Sequence, residues 1–154
     1  MTSSKEPKDA SGELEPSGVP GLDHILHGGF PRRRLILLQG PPGTGKTTLG
    51  LQFLLEGARR GQRCLYVTLS ESEDEIAGVA ASHGWTLDGI TIFDLSRVEN
   101  QLRDGQENSL FNPADIELRE TTQPLLDLIA QQKPQRVMFD SLSELRMLAT
   151  SPLC

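Results

Sequence analysis

Nine consecutive residues have the types and spacing that phosphate chemistry requires. They are Gly40, Pro41, Pro42, Gly43, Thr44, Gly45, Lys46, Thr47 and Thr48. The glycines let successive backbone N–H groups turn inward around phosphate oxygens, because glycine adopts positive φ at little cost. The Lys46 ammonium can reach the β- and γ-phosphates of a nucleotide, and the Thr47 hydroxyl can bind Mg²⁺. The segment therefore predicts a nucleotide-binding site.

The residues on either side of this loop predict the elements that position it. Leu35–Gln39 is an apolar run that predicts a buried strand leading into the loop. From about Lys46 onward, apolar residues recur at helical spacing, and the positive dipole end of the predicted helix faces the bound anion. The alternative is a glycine-rich hairpin or linker, and the flanking strand and helix argue against it.

Two acidic residues that follow later apolar strands are candidates for the rest of the site. Asp140 ends the strand predicted for Gln135–Asp140. Strand carboxyl ends gather around the ligand in open α/β sheets, so we expect Asp140 to act on the metal. Glu71 directly follows the strand predicted for Arg63–Leu69 and is the candidate for activating the attacking water. The plainer alternatives are a turn cap for Asp140 and a helix-dipole partner for Glu71.

Strands and helices alternate along the chain, which predicts α/β architecture with a parallel sheet. A further strand is predicted over Ile90–Asp94. Ser70 and Ser72 each have a glutamate three residues later, so either could begin the helix that precedes that strand. Asn112-Pro113 predicts the start of another helix. Pro124 lies within that helix and must break, kink or restart it.

Length, charge and cysteine usage restrict the class of protein. A chain of 154 residues allows one domain, and its net charge of −6 provides no basic field for nucleic acid or anionic lipid. Residues 1–16 lack periodicity and predict a disordered tail, with the domain over residues 17–154. Cys64 and Cys154 have neither metal spacing nor a disulfide framework, which favours a reducing compartment. With no signal core or membrane span in the sequence, we expect a cytoplasmic protein.

Several segments together resemble the KaiC-like ATPases of the RecA/RadA superfamily. They are residues 17–23 (SGVPGLD), residues 28–31 (GGFP), Gly40–Thr48, Leu65–Glu71 and Val137–Ser143. The first and last of these make the resemblance specific, because the phosphate-binding loop alone is shared with many proteins. The resemblance runs from about Ser17 to Leu148. It implies a RecA-like ATPase that assembles into rings, commonly hexamers, with ATP between neighbours, and autokinase activity in some members.

Carried over residue by residue, the resemblance implies a role for each candidate. Lys46 and Thr47 would bind phosphate and Mg²⁺, Asp140 would be the Walker-B acid and Glu71 the water-activating glutamate. The best-studied members have two adjacent glutamates where this chain has Ser70-Glu71. We therefore expect one carboxylate to act alone or hydrolysis to be slow. The family's phospho-acceptor region belongs to sequence that this chain does not contain, which weakens the kinase reading.

The resemblance also implies a strand between the Walker-A and Walker-B strands that comes later in sequence than Cys154. The Walker-A and Walker-B strands would then lie two strand spacings apart, about 9.6 Å, with an empty slot between them. Either it stays open, with unpaired backbone groups on both sides, or the strands close up and move Asp140 by about 4.8 Å, more than a Mg²⁺ shell tolerates. We therefore expect a fragment that contains the phosphate-binding half of an ATPase and is itself a poor enzyme.

Three classes of function remain at this point. The first is an ATP-hydrolysing, ring-forming regulator, and the second is a nucleotide-binding interaction module without useful turnover. The third is a small P-loop kinase of nucleotides or metabolites, which requires a lid with arginines after the Walker-B strand, where only Arg146 stands. The acidic net charge gives a DNA recombinase role no support.

Overall fold

The structure, a computed structural model, describes residues 14–97 and 113–141, and of residues 113–121 the backbone alone. Residues 1–13 of the tail predicted for residues 1–16 lie outside the described residues, as do Arg146 and Cys154. In chain order the elements are β1 (Leu14–Glu15), α1 (Pro20–Ile25), β2 (Phe30–Pro31), α2 (Lys46–Arg59), β3 (Cys64–Thr68), α3 (Glu73–Ser82), β4 (Ile90–Asp94), α4 (Pro113–Gln132) and β5 (Arg136–Asp140).

A parallel sheet with strand order β4-β3-β5 forms the centre of the fold. All five residues of β3 are buried, because helices cover both of its faces. On one face Tyr66 packs with Leu51 of α2, and on the other Val67 packs with Leu125 of α4. The predicted α/β architecture with a parallel sheet is therefore confirmed. None of the helices in the described ranges is long and apolar enough to cross a membrane.

The apolar run Leu35–Gln39 does not form the buried strand that the sequence predicted. Residues 34–40 are neither helix nor strand, and the exposed fraction of Leu35 is 88%. An extended segment needs a neighbouring strand to pair its backbone N–H and C=O groups. Within the described part of the chain, β5 pairs with β3 along one edge and with no strand along the other. The sequence allowed two arrangements, an open slot between this run and β5 or a run paired directly with β5. The run is not paired with β5, and it lies outside the sheet.

Helix α4 runs without interruption from Pro113 to Gln132, so of the three predicted effects of Pro124, a break, a kink or a restart, the break and the restart do not occur. A proline inside a helix removes one hydrogen bond and crowds the preceding turn, at a cost of about 3 kcal/mol. The residues after Pro124 bury Leu125 against β3, with Leu128 and Ile129 beside it. This apolar contact offsets the cost of the proline.

Helix α3 begins after Ser72, which decides between the two capping boxes that the sequence allows. The Ser72 hydroxyl accepts from the backbone N–H of Glu75 at 3.3 Å, and the Glu75 carboxylate accepts from the Ser72 N–H at 2.7 Å. At the other end, Gly84 has φ +70°, as expected for a residue that follows a helix C-cap.

The chain's N-terminal hairpin is tied to the sheet by one buried arginine. Strands β1 and β2 pair antiparallel, so Leu14–Glu15 is structured although it falls in the range predicted as a tail. The Arg136 side chain is fully buried, with its guanidinium 2.9 Å from the Glu15 carboxylate. It also donates to the carbonyls of Pro16 and Phe53 at 2.8 and 2.7 Å and to the Gln62 side chain at 2.8 Å. Arg136 thereby joins the hairpin, α2 and β5.

Candidate functional site

The glycine-rich loop has the backbone conformation that its sequence predicts. Gly43 and Gly45 have φ values of +79° and +83°, while a Cβ at either position would meet no atom within 4 Å. Glycine is therefore favoured there by the backbone conformation, not by lack of space. The Lys46 ammonium reaches back over the loop and donates to the carbonyls of Gly40 and Pro41 at 3.0 and 2.8 Å. Residues 41–45 are exposed, and Gly40 and residues 46–48 are half-buried.

Thr47 and Asp140, which are far apart in sequence, are in direct contact. The Thr47 hydroxyl donates to Asp140 Oδ2 at 2.6 Å, which joins the first turn of α2 to the end of β5. The Tyr66 hydroxyl of β3 donates to the same oxygen at 3.0 Å. The Asp140 carbonyl accepts from the Leu69 N–H at 3.0 Å, and the Asp140–Ser141 peptide bond is cis.

Two glycines let α2 approach the sheet closely enough for that contact. A Cβ at Gly50 would overlap the Met138 sulfur, and a Cβ at Gly57 would lie 2.5 Å from Arg136 Cδ. The two glycines are seven residues apart and share one face of the helix, so that face lies directly on β5. Their spacing is a signal that the sequence contains and that our sequence analysis missed.

Glu71 lies just beyond the end of β3, and β3 is the neighbour of β5, the strand that ends at Asp140. The Thr68 hydroxyl accepts from the Glu71 N–H at 3.0 Å and donates to the Glu71 carbonyl at 2.7 Å, which fixes the backbone there. Thr68 is itself the register partner of Asp140, so both acids occupy the carboxyl edge of the sheet. Burial raises the pKa of Tyr66 well above its ordinary value, and the carboxylates of Asp140 and Glu71 raise that pKa further. The phenol of Tyr66 thus lies in the field of both acids.

The oxygen donors at this contact fit Mg²⁺. Magnesium is usually held in proteins by one or two side-chain oxygens together with substrate phosphates and water. The Thr47 hydroxyl donates a hydrogen bond to Asp140, and its oxygen keeps two lone pairs, one of which can face a metal. Over the side chains that the structure describes, no three His, Cys, Asp or Glu residues gather into a metal site of their own.

Comparisons with known proteins identify the family of the chain. A family model described as "ATPase: KaiC" matches residues 15–152. A UPF0273 protein of Thermotoga maritima is 31% identical over 134 residues, which cover 84% of this chain and 55% of the relative. The circadian clock oscillator protein KaiC of a Picosynechococcus species is 36% identical over 130 residues, or 84% of this chain and 23% of that protein.

The fold is also similar to a solved structure. A KaiC-like protein of Pyrococcus horikoshii superposes with a TM-score of 0.63 at 28% identity, over 82% of this chain and 54% of that one. The chain thus spans about half the length of the Thermotoga and Pyrococcus relatives. The resemblance found in the sequence is confirmed. The chain belongs to the KaiC ATPase family and contains a nucleotide-binding domain of the ATPase type.

Proposed function

We propose that the chain binds Mg²⁺·ATP at Gly40–Thr48 and that the protein hydrolyses this ATP within a ring of its own copies. The observation that carries the proposal is the 2.6 Å hydrogen bond between Thr47 Oγ1 and Asp140 Oδ2. It brings a hydroxyl at the start of the phosphate-binding helix to a carboxylate at a strand end, which is the pair of groups that a nucleotide-bound Mg²⁺ needs.

Each loop group has a distinct part in holding the triphosphate. The Lys46 ammonium donates to two loop carbonyls. When ATP binds, the ammonium donates to β- and γ-phosphate oxygens instead, because a hydrogen bond to a charged oxygen is stronger than one to a neutral carbonyl. The backbone N–H groups of the loop and the positive end of α2 add to the attraction. Thr47 and Asp140 hold the metal, whose charge offsets the negative charge on the phosphates.

Glu71 is the proposed base for the attacking water. Its carboxylate orients the water and takes one proton as the oxygen bonds to the γ-phosphorus and the bond to ADP breaks. Thr68 supports this role, because its two hydrogen bonds hold the Glu71 backbone beside the end of β5. Removing a general base typically lowers the rate by about 10² to 10⁴.

Binding and turnover of ATP measured on matched variants test the proposal. We expect Lys46→Ala to weaken ATP binding by at least about tenfold, through loss of a charge-assisted hydrogen bond. Glu71→Gln should leave ATP binding intact and lower phosphate release by about 10² or more. Glu73→Gln, in the exposed first turn of α3, is the control and should change neither. Equal phosphate release from the two glutamine variants would rule out Glu71 as the base.

A nucleotide-binding interaction module without useful turnover is the second candidate. It is favoured by the position of Leu35–Gln39 outside the sheet, because the loop is then anchored through α2 and not through a strand before it. The exposed Ser70, which stands where the best-studied relatives have a second glutamate, favours it too. Stoichiometric ATP binding without phosphate release in the same assay would select this candidate.

A further inference from the structure

The hydroxyl of Tyr66 makes a contact that ring packing does not require. The side chain is completely buried in the cluster that contains Leu51, Leu54 and Ile76. A phenylalanine ring would fill that space as well. The hydroxyl nevertheless points to Asp140 Oδ2 and donates to it at 3.0 Å.

The strand register explains how a tyrosine of β3 reaches this carboxylate. Tyr66 is paired with Met138, and Thr68 two residues later is paired with Asp140. Side chains two residues apart on a strand share a face, so Tyr66 and Asp140 are diagonal neighbours on the α2 face of the sheet. A diagonal neighbour lies within reach of an aromatic side chain. The contact is therefore built into two adjacent strands.

Asp140 Oδ2 receives donors from two separate elements. Thr47 approaches from α2 at 2.6 Å, and Tyr66 approaches from β3 at 3.0 Å. Thr47 lies in the half-buried first turn of α2 and is itself a proposed metal ligand, whereas the strand that holds Tyr66 is fully buried. The Tyr66 hydroxyl is thus the donor whose position the core determines.

We propose that Tyr66 is a positioning residue for Asp140, which fixes the rotation of its carboxylate for Mg²⁺·ATP. The inference rests on the proposed function, because it assigns a support to the metal-binding carboxylate proposed above. Partners that orient metal ligands from the second layer typically contribute about 10- to 100-fold to metal affinity. Tyr66 is such a partner, because its hydroxyl donates to the carboxylate of Asp140.

The test measures ATP binding across a Mg²⁺ titration in wild type and Tyr66→Phe. We expect the variant to need at least about tenfold more Mg²⁺ for half-maximal binding, with ATP binding in chelator unchanged. Ile92→Val is the control, since Ile92 is the β4 register partner of Tyr66 and packs in the same cluster, and its apolar side chain has no group that could donate to Asp140. It should lower stability and leave the Mg²⁺ midpoint in place. A role in packing alone would give both variants the wild-type midpoint.

The two proposals fail in different ways. Wild-type chain that shows no Mg²⁺-dependent ATP binding overturns the proposed function and this inference with it. Wild-type binding with an unchanged midpoint in Tyr66→Phe overturns the inference alone. Tyr66 is the single tyrosine of the chain, so carbon-13 labelling of tyrosine Cζ reports on it without any substitution, even if the variant does not fold. Its resonance should move on addition of Mg²⁺·ATP and not with ATP in chelator, and an unmoved resonance overturns the inference.

Discussion

Two arginines contact the same carboxylate, and comparing them gives the sharpest test of how this fold is held together. Arg136 and Arg32 lie 2.9 and 2.7 Å from the oxygens of Glu15. The Arg136 side chain is fully buried, whereas the Arg32 side chain is 51% exposed. Distance alone would rate the two ion pairs equal. Burial predicts that they differ several-fold in their contribution to stability.

The magnitude for Arg136 follows from its contacts. Its guanidinium makes four hydrogen bonds, one each to Gln62, Pro16, Phe53 and Glu15. At about 1 kcal/mol net for each hydrogen bond, these sum to roughly 4 kcal/mol, within the range of about 3–5 kcal/mol for breaking a buried ion pair. The guanidinium also lies 4.5 Å from the centre of the Phe53 ring, which adds a cation–π contribution.

Urea denaturation of Arg136→Ala and Arg32→Ala measures the difference. With a slope of about 2 kcal/mol per molar urea, Arg136→Ala should lower the midpoint by about 2 M. Arg32→Ala should lower it by less than about 0.5 M, because exposed ion pairs contribute about 0–1 kcal/mol. Equal midpoint shifts in the two variants would refute the argument from burial. Arg136→Lys, which keeps the charge and loses the planar fork, should fall between them.

Two further substitutions test helix packing and capping. Gly57→Ala should destabilise the fold by about 1–3 kcal/mol, because the new methyl would lie 2.5 Å from Cδ of Arg136, whose side chain is held by its hydrogen bonds. Gly78→Ala, with nothing within 4 Å, should stabilise the fold by up to about 1 kcal/mol. Thermal unfolding of both variants checks this, and a stabilised Gly57→Ala would contradict it. The backbone N–H and hydroxyl of Ser72 hold the pKa of Glu75 below its ordinary value of 4.5. The stabilisation that the ionised carboxylate provides is complete above pH 4.5 and is lost as the pH falls through the lower pKa of the folded state. The difference in stability between wild type and Glu75→Gln should therefore be smaller at about pH 3 than at about pH 7. A difference independent of pH would exclude the carboxylate as its source.

Local sequence signals predicted most of the elements that surround the site. The strand Ile90–Asp94 has the predicted bounds, and the strands around residues 64–68 and 136–140 match to within a residue at each end. These segments combine apolar character with turn signals on both sides, and each finds a hydrogen-bonded neighbour. Leu35–Gln39 has the same apolar character and no such neighbour, so it is not a strand. Pairing depends on the rest of the fold, which a local pattern does not contain.

Contacts between distant elements could not be predicted from the sequence either, because they also depend on the whole fold. Nothing marks Arg136 as buried, because a charged residue at the start of an apolar strand usually lies at the surface. Tyr66 looks like an ordinary core aromatic until the register with β5 brings its hydroxyl to Asp140. Asp140 itself was predicted as a site residue, since its place at a strand end is visible in the sequence. Which donors surround it depends on three elements at once.

The link between Glu15 and Arg136 has a consequence for synthesis on the ribosome. The two residues are 121 positions apart. At about 5–20 residues per second, roughly 6–24 seconds pass between the making of one and the making of the other. During that interval Glu15 has Arg32 and then Gln62 as partners, and the hairpin cannot yet dock on β5. Attachment of the hairpin to Arg136 therefore has to wait for β5, the last of the three sheet strands to be made.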